Sequence, residues 1–255
     1  MRNSFFGNIF NTLQNRTSAV FGAIGAAALV CLCGALMTFV LGPQQALKAN
    51  RVSKLPLMDV SYVTSAATDS EILITGTLNG SQASPNVPDF IAYTQDHWEI
   101  TISENEQGTP QPPDGSWSYD ETVIPTLTLT LNGTPVNIQP SSYAALGGNL
   151  HERIVDGNGS LQAKDGDQLL REGALRYQGF FDGDQATVLG KKDSSGAIIP
   201  EDVYAGDRAS YEKAQKQAAG FLFVGGIVAM ICAPVVLILG VVSAALGKST
   251  RVVRR

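Results

Sequence analysis

Two long apolar runs bracket a polar middle. From Thr17 to Leu47 the chain carries no Asp, Glu, Lys or Arg, and none appears from Gln217 to Gly247. The 25 residues of Ser18–Gly42 would make a helix of roughly 37 Å, long enough for a hydrocarbon core of about 30 Å. A cleaved signal peptide is the rival reading. Its apolar core would be about half as long, and no clean small-x-small cleavage site follows, so a retained span is expected. The second run, Ala218–Gly247, is longer than a perpendicular crossing needs and must tilt or bend. Pro234 lies inside it and cannot donate to the carbonyl of Met230, which predicts a kink there.

Small residues recur every fourth position in both runs. The first has Ser18, Gly22 and Ala26, and the second has Gly225, Ala229 and Ala233. Such rows let helix backbones approach closely, so these five positions after Ser18 are candidates for packing between the spans or against other chains. Neither run holds an ionisable Asp, Glu, Lys or Arg, which argues against an ion or proton path.

The middle alternates with period two. Ile72 and Ile74, then Trp98, Ile100 and Ile102, then Leu127, Leu129 and Leu131 each mark one face of a strand. Asn132-Gly133 separates the last set from Val136 and Ile138, the strongest short hairpin signal because both turn positions need positive φ. Asn79-Gly80 and Asp182-Gly183 look like the same device. Asn105–Ser118 reads as a Gly/Pro-rich loop, and Ser141–Gly157 as a segment with a helical turn or two. Asp207–Gly220 is a good helix former that Asp207 or Ser210 would cap, and it runs into the second span. Three Asn-Gly-Ser/Thr triplets, at Asn79, Asn132 and Asn158, have the form of glycosylation acceptors but are accounted for by turn chemistry.

The expected architecture is an α+β membrane protein. Two transmembrane helices (18–42 and 218–247) flank a small antiparallel β-rich domain (48–206), a bent sheet or barrel of about six strands. A short N-terminal segment (1–17), a juxtamembrane helix (207–217) and a basic tail (248–255) complete it.

Charge sharpens this division. All 23 acidic residues lie between the runs with 12 of the 18 basic ones, leaving the middle at −11. That is a poor match for nucleic acid, which selects basic patches. Six basic residues lie outside the runs and six flank them on the inner side. The dense tail "KSTRVVRR" tips the expectation toward cytoplasmic termini and a middle domain on the opposite side.

Candidate chemistry is sparse. Cys31, Cys33 and Cys232 all fall in the apolar runs, so there is no disulfide framework. His97 and His151 lack the clustered Cys or His that zinc requires. Asp156–Asp167 has acidic and polar groups at calcium-loop positions 1, 3, 5 and 12, but Leu161 stands where the sharp turn needs Gly. No nucleophile elbow, phosphate loop, dinucleotide fingerprint or zinc-protease motif occurs. The expectation is a chain with no catalytic residue, cofactor or metal.

The order of parts carries one resemblance. A span leads to "ILITGTLNGSQASPNVP", then to "FIAYTQDHWEI", the hairpin "TLTLTLNGTPVNIQ", "FFDGDQATVLGK" and the second span. This resembles the GIDE, or beside-a-membrane, domain of two-pass mitochondrial ubiquitin ligases and their bacterial relatives. Gly183, Asp184, Val188, Leu189 and Gly190 match that family's closing pattern, while Phe180 and Ala186 keep its apolar positions. The ligases carry a RING after the second span. The eight residues after Gly247 hold no Cys or His, so the resemblance implies a membrane-held interaction or scaffold domain and not a ligase. The competing expectation is an accessory subunit of a larger, energy-transducing membrane complex. Expected partners are membrane lipids and other membrane subunits or further copies of the chain.

Overall fold

The computed structural model describes residues 22, 24–56, 59–84, 87, 89–104 and 109–246. The chain divides into two compact units. One holds the terminal helices, up to Ser53 and from Gln215 onward, and the other is Lys54–Ala214.

The first helix, α1, runs Ile24–Lys54. It does not stop at the end of the apolar run, so residues 48–54 are helical and do not open the β domain. Met37–Leu41 form a π-turn inside it, closed by the Gly42 N–H on the carbonyl of Met37. Pro43 accounts for the wide turn: it has no N–H for the carbonyl of Phe39 and its ring crowds that carbonyl, so the helix opens locally. The last helix, α3, runs Arg208–Leu246 and continues through Pro234. Asp207 caps it by accepting from the Ser210 N–H at 2.8 Å.

A short helix, α2 (Val60–Ser65), opens the Lys54–Ala214 unit, capped by Asp59, which accepts from the Tyr62 N–H at 2.9 Å. Among the described residues twelve strands follow: β1 (Glu71–Asn79), β2 (Phe90–Thr101), β3 (Asp114–Val123), β4 (Leu127–Leu131), β5 (Thr134–Ile138), β6 (Ala145–Gly148), β7 (His151–Val155), β8 (Gln162–Asp165), β9 (Gln168–Arg171), β10 (Leu175–Phe181), β11 (Gln185–Lys192) and β12 (Ile198–Ala205). Five of them close into a ring, β11-β1-β4-β5-β12 and back to β11, with β6 added beside β12. The ring is the barrel form of the sheet expected from the alternation, but it is mixed and not wholly antiparallel, because β12 runs parallel to β5 and β6. A second sheet, β3-β2-β10-β7, and the β8-β9 hairpin complete the unit.

The barrel is filled by the alternating faces. Leu127 opposes Ile138 and Leu129 opposes Val136, and these join Ile72, Ile74, Leu78, Val188 and Val203 in one buried cluster. Asn132 and Gly133 turn the hairpin with φ of 47° and 85°. Asn79-Gly80 does not turn a hairpin. β1 pairs with β11 and β4, not with the strand that follows it. The Asn79 side chain instead accepts from Thr130 Oγ1 at 3.0 Å, and the Gly80 N–H reaches Asp182 at 3.1 Å.

Three further expectations change. Ser141–Gly157 holds strands β6 and β7, because β12 and β10 offer them open edges and sheet pairing overrides a weak helical preference. Asp114–Ser118, placed in a loop, is the start of β3 and pairs with the end of β2. The turn at Asp182-Gly183 does not join neighbouring strands: β10 belongs to the second sheet and β11 to the barrel. This segment is the crossover between them. Gly183 (φ 90°) donates its N–H to the Leu78 carbonyl at 2.9 Å, and the Leu78 N–H donates to the Asp184 carbonyl at 2.8 Å.

Gly190 ends that segment at the point where β11 and β12 shift register. A Cβ there would sit 2.3 Å from the Ile199 carbonyl oxygen. Gly190→Ala therefore forces backbone apart at the barrel closure and is expected to cost about 1–3 kcal/mol. Urea unfolding of the purified chain measures this, and an unchanged midpoint would contradict the close approach.

Candidate functional site

Three groups of side chains are candidates: the contact between the two long helices, a groove on the barrel, and the histidines.

Within the terminal unit, α1 and α3 meet at glycine. A Cβ on Gly226 would lie 2.2 Å from Thr38 Oγ1 and 2.7 Å from the Gly34 carbonyl, and one on Gly34 would lie 2.7 Å from the Gly226 carbonyl. Lower on the pair, a Gly42 Cβ would press on the Phe223 ring at 3.0 Å. Gln45 Nε2 donates to Gln215 Oε1. Gly34 with Gly226 and Gln45 with Gln215 fit one antiparallel register. Ala219, Gly226 and Ala233 are buried at seven-residue intervals, as Ala27 and Gly34 are on the partner helix. A seven-residue repeat keeps one seam facing the neighbouring helix. Thr38 Oγ1 is buried in this seam with no hydrogen-bond partner among the described residues.

The small residues chosen by four-residue spacing divide accordingly. Ala229 touches the seam, 3.0 Å from where a Gly34 Cβ would be, and Ala233 is buried in it. Ala26 is exposed. A Cβ on Gly22 or Gly225 would meet nothing within 4 Å, so neither takes part in the contact within the chain. Ser18 lies outside the described residues. The reason is rotational. A four-residue row drifts by about 40° per step around an α-helix, whereas the seam follows the seven-residue repeat. Pro43 is the signal that sequence reasoning passed over on the α1 side, since the wide turn ahead of it helps keep Gly34, Thr38 and Gly42 on one face.

In the Lys54–Ala214 unit, a groove of about 480 Å³ lies between α2, the start of β5 and the β11–β12 loop. Val60, Val136 and Pro135 give it apolar walls, and Thr64, Asn137 and Lys192 give polar ones. It lies where the ring is thinnest, because β5 meets β12 through the single pair Ile138–Ile198. Lys192 is 9% exposed. Its ammonium donates to the carbonyls of Thr64 and Ala66, both at 2.8 Å. It thereby fixes the C-terminal end of α2 to the barrel. Beside it Asp193 accepts from Ser195, Ala197 and Gln139. The Ser195 bonds lead the others in holding its carboxyl below the usual carboxylate range.

The histidines sit in separate places. His151 stacks on Phe181 at 4.1 Å and contacts Asp184 at 3.2 Å, which makes it part of the crossover between the sheets. His97 lies on β2 between two carboxylates, Glu99 at 2.9 Å and Asp120 at 2.5 Å. Among the described residues no serine, threonine or cysteine side chain is bonded to either ring; the partners are carboxylates. Among the described residues no three His, Cys, Asp or Glu are placed to hold a metal ion.

Two outcomes test these assignments. Gly226→Leu is expected to separate the helices and lower the thermal midpoint in detergent, while Gly225→Leu leaves it unchanged; equal effects would contradict the seam. For His97, bonds to Glu99 and then Asp120 raise the imidazole above its ordinary value of 6.5. Its stabilising contribution is therefore complete below that ordinary value and lost as pH rises through the folded one. An NMR titration should show a raised His97 midpoint that falls in Glu99→Gln, and no fall would contradict the pairing.

No protein family, no curated protein and no solved structure matches the chain.

Proposed function

We propose that this chain is a non-enzymatic two-pass membrane protein. Its β unit, resembling a GIDE domain, serves as a protein-interaction or scaffold module at the membrane surface. The observation that carries this reading is the exposure of the two long helices. Only 17% and 11% of their apolar windows are buried, whereas the core helix of a soluble protein is mostly covered. Leu29, Leu32, Phe39, Phe221, Ile231 and Leu239 are each more than half exposed. In water each such side chain would forgo about 1.5–3 kcal/mol of burial, and hydrocarbon supplies it. The basic tail places the termini on the cytoplasmic side in this reading, with the β unit opposite.

Tyr143 supports the interaction role. It is 98% exposed, and its loop backbone is tied by Ser141 Oγ, which accepts from the N–H groups of Tyr143 and Ala144 at 3.2 and 3.1 Å. A tyrosine held out by a fixed loop suits an interface anchor, since little ordering entropy remains to be lost on binding. The second reading, an accessory subunit of a larger membrane complex, is favoured by Gly22, Gly25, Gly220 and Gly225. Open space lies above all four, and such bare backbone suits the approach of other helices.

Mild-detergent extraction with native mass analysis separates the two. Stoichiometric co-purification with other subunits supports the accessory role. A species near 27.0 kDa, or a small multiple of it, supports the lone module. A photo-crosslinker at position 143 should then give a discrete adduct in intact membranes. Its absence would contradict Tyr143 as the anchor.

A further inference from the structure

Both long helices outrun their apolar segments at the end nearer the β unit in sequence. In α1, the residues from Ile24 to Leu47 span about 36 Å, which covers a hydrocarbon core of about 30 Å. The helix then continues to Lys54. Those seven residues add about 10 Å, the scale of one headgroup layer. They carry Lys48, Arg51 and Lys54 and no acidic residue. Spacing by three sets these cations on one side of the helix. Arg51 and Lys54 are exposed, while Ala49 and Val52 are buried.

α3 repeats the arrangement in reverse. Lys213 and Lys216 are exposed, again three apart, and lie just ahead of the uncharged run that begins at Gln217. The nearby acid, Glu212, is already bonded to Arg208 at 2.7 Å. Arg208 is also committed to the carbonyls of Leu55 and Pro56. Among the described residues no ion pair engages Lys54, Lys213 or Lys216.

The helix dipole favours cations at the C-terminal end of α1. It gives no reason for Lys213 and Lys216, which sit near the N-terminal end of α3. A chain that crosses and returns brings both stripes to the same side of the bilayer. We propose that these stripes bind the phosphates of anionic phospholipids in the leaflet on that side. The inference rests on the two-pass reading and adds a lipid preference to it. Each lysine reaches the headgroups from a helix already fixed by the crossing, so little further ordering opposes the contact.

The test uses the full chain in zwitterionic detergent with added phosphatidylglycerol or phosphatidylcholine, and native mass spectrometry of the lipids retained. Phosphatidylglycerol should be retained preferentially. In the triple variant Lys54→Gln, Lys213→Gln, Lys216→Gln its affinity should fall about fivefold for each charge removed, with phosphatidylcholine unaffected. The exposed positions leave the fold intact, checked by an unchanged circular dichroism spectrum. Equal retention of the two lipids by the wild-type chain overturns the proposal, as does an undiminished preference in the triple variant. Neutralising Lys248, Arg251, Arg254 and Arg255 should leave the preference in place. If it is lost there instead, the lipid site belongs to the tail and the assignment falls. A chain that does not extract with membranes fails the two-pass reading itself, a separate result.

Discussion

The β unit depends on β11 being hydrogen-bonded along both edges. It pairs with β1 from Glu71–Lys191 to Thr77–Gln185, and with β12 from Ala186–Ala205 to Lys192–Ile198. A strand paired on both sides has no edge, so it can be apolar on both faces without inviting aggregation. Ala186, Val188 and Leu189 are fully buried in it. Its ends carry the remaining connections. The crossover through Asp182–Asp184 brings in the second sheet, and Lys192 holds the short helix α2. Removing β11 would open the barrel, detach the second sheet and free α2 together.

The terminal helices solve a different problem. In the proposed two-pass reading they lie in lipid, where there is no hydrophobic drive between helices and contact depends on close packing. Gly34, Gly226, Ala219 and Ala233 provide the small surface, and Pro43 supplies the local widening that helps keep Thr38 and Gly42 in line with it. The exposed remainder is aliphatic and aromatic, which suits hydrocarbon. Charge begins at Lys48 and ends at Lys216, where the helices leave the apolar zone.

Much of this was legible in the sequence because it depends on local rules. The absence of charge marked the two long apolar helices, alternation marked β1 and the β4–β5 hairpin, and Asn132-Gly133 marked its turn. What was not legible depends on partners distant in the chain. Asn79-Gly80 has hairpin chemistry, but the pairing of β1 with β11, about 110 residues away, decides its conformation. Ser141–Gly157 becomes two edge strands because β12 and β10 are waiting for them. Four-residue spacing found Ala229 and Ala233 in the seam but not Gly34, Thr38 or Gly226. Glycines occur on several sides of both spans, and spacing alone does not say which side faces the other helix. The segment "FFDGDQATVLGK" drew attention as a family-like pattern. Its glycines have physical causes: positive φ at Gly183 and backbone crowding at Gly190.

The central claim is that the chain crosses a membrane twice, with the β unit between the crossings. It is tested by replacing Cys31, Cys33 and Cys232 with serine and placing one cysteine at position 143 or 249. Each is then labelled in sealed, oriented vesicles with a membrane-impermeant thiol reagent. Labelling of 143 and 249 from opposite sides is the predicted result. Labelling of both from the same side would contradict it.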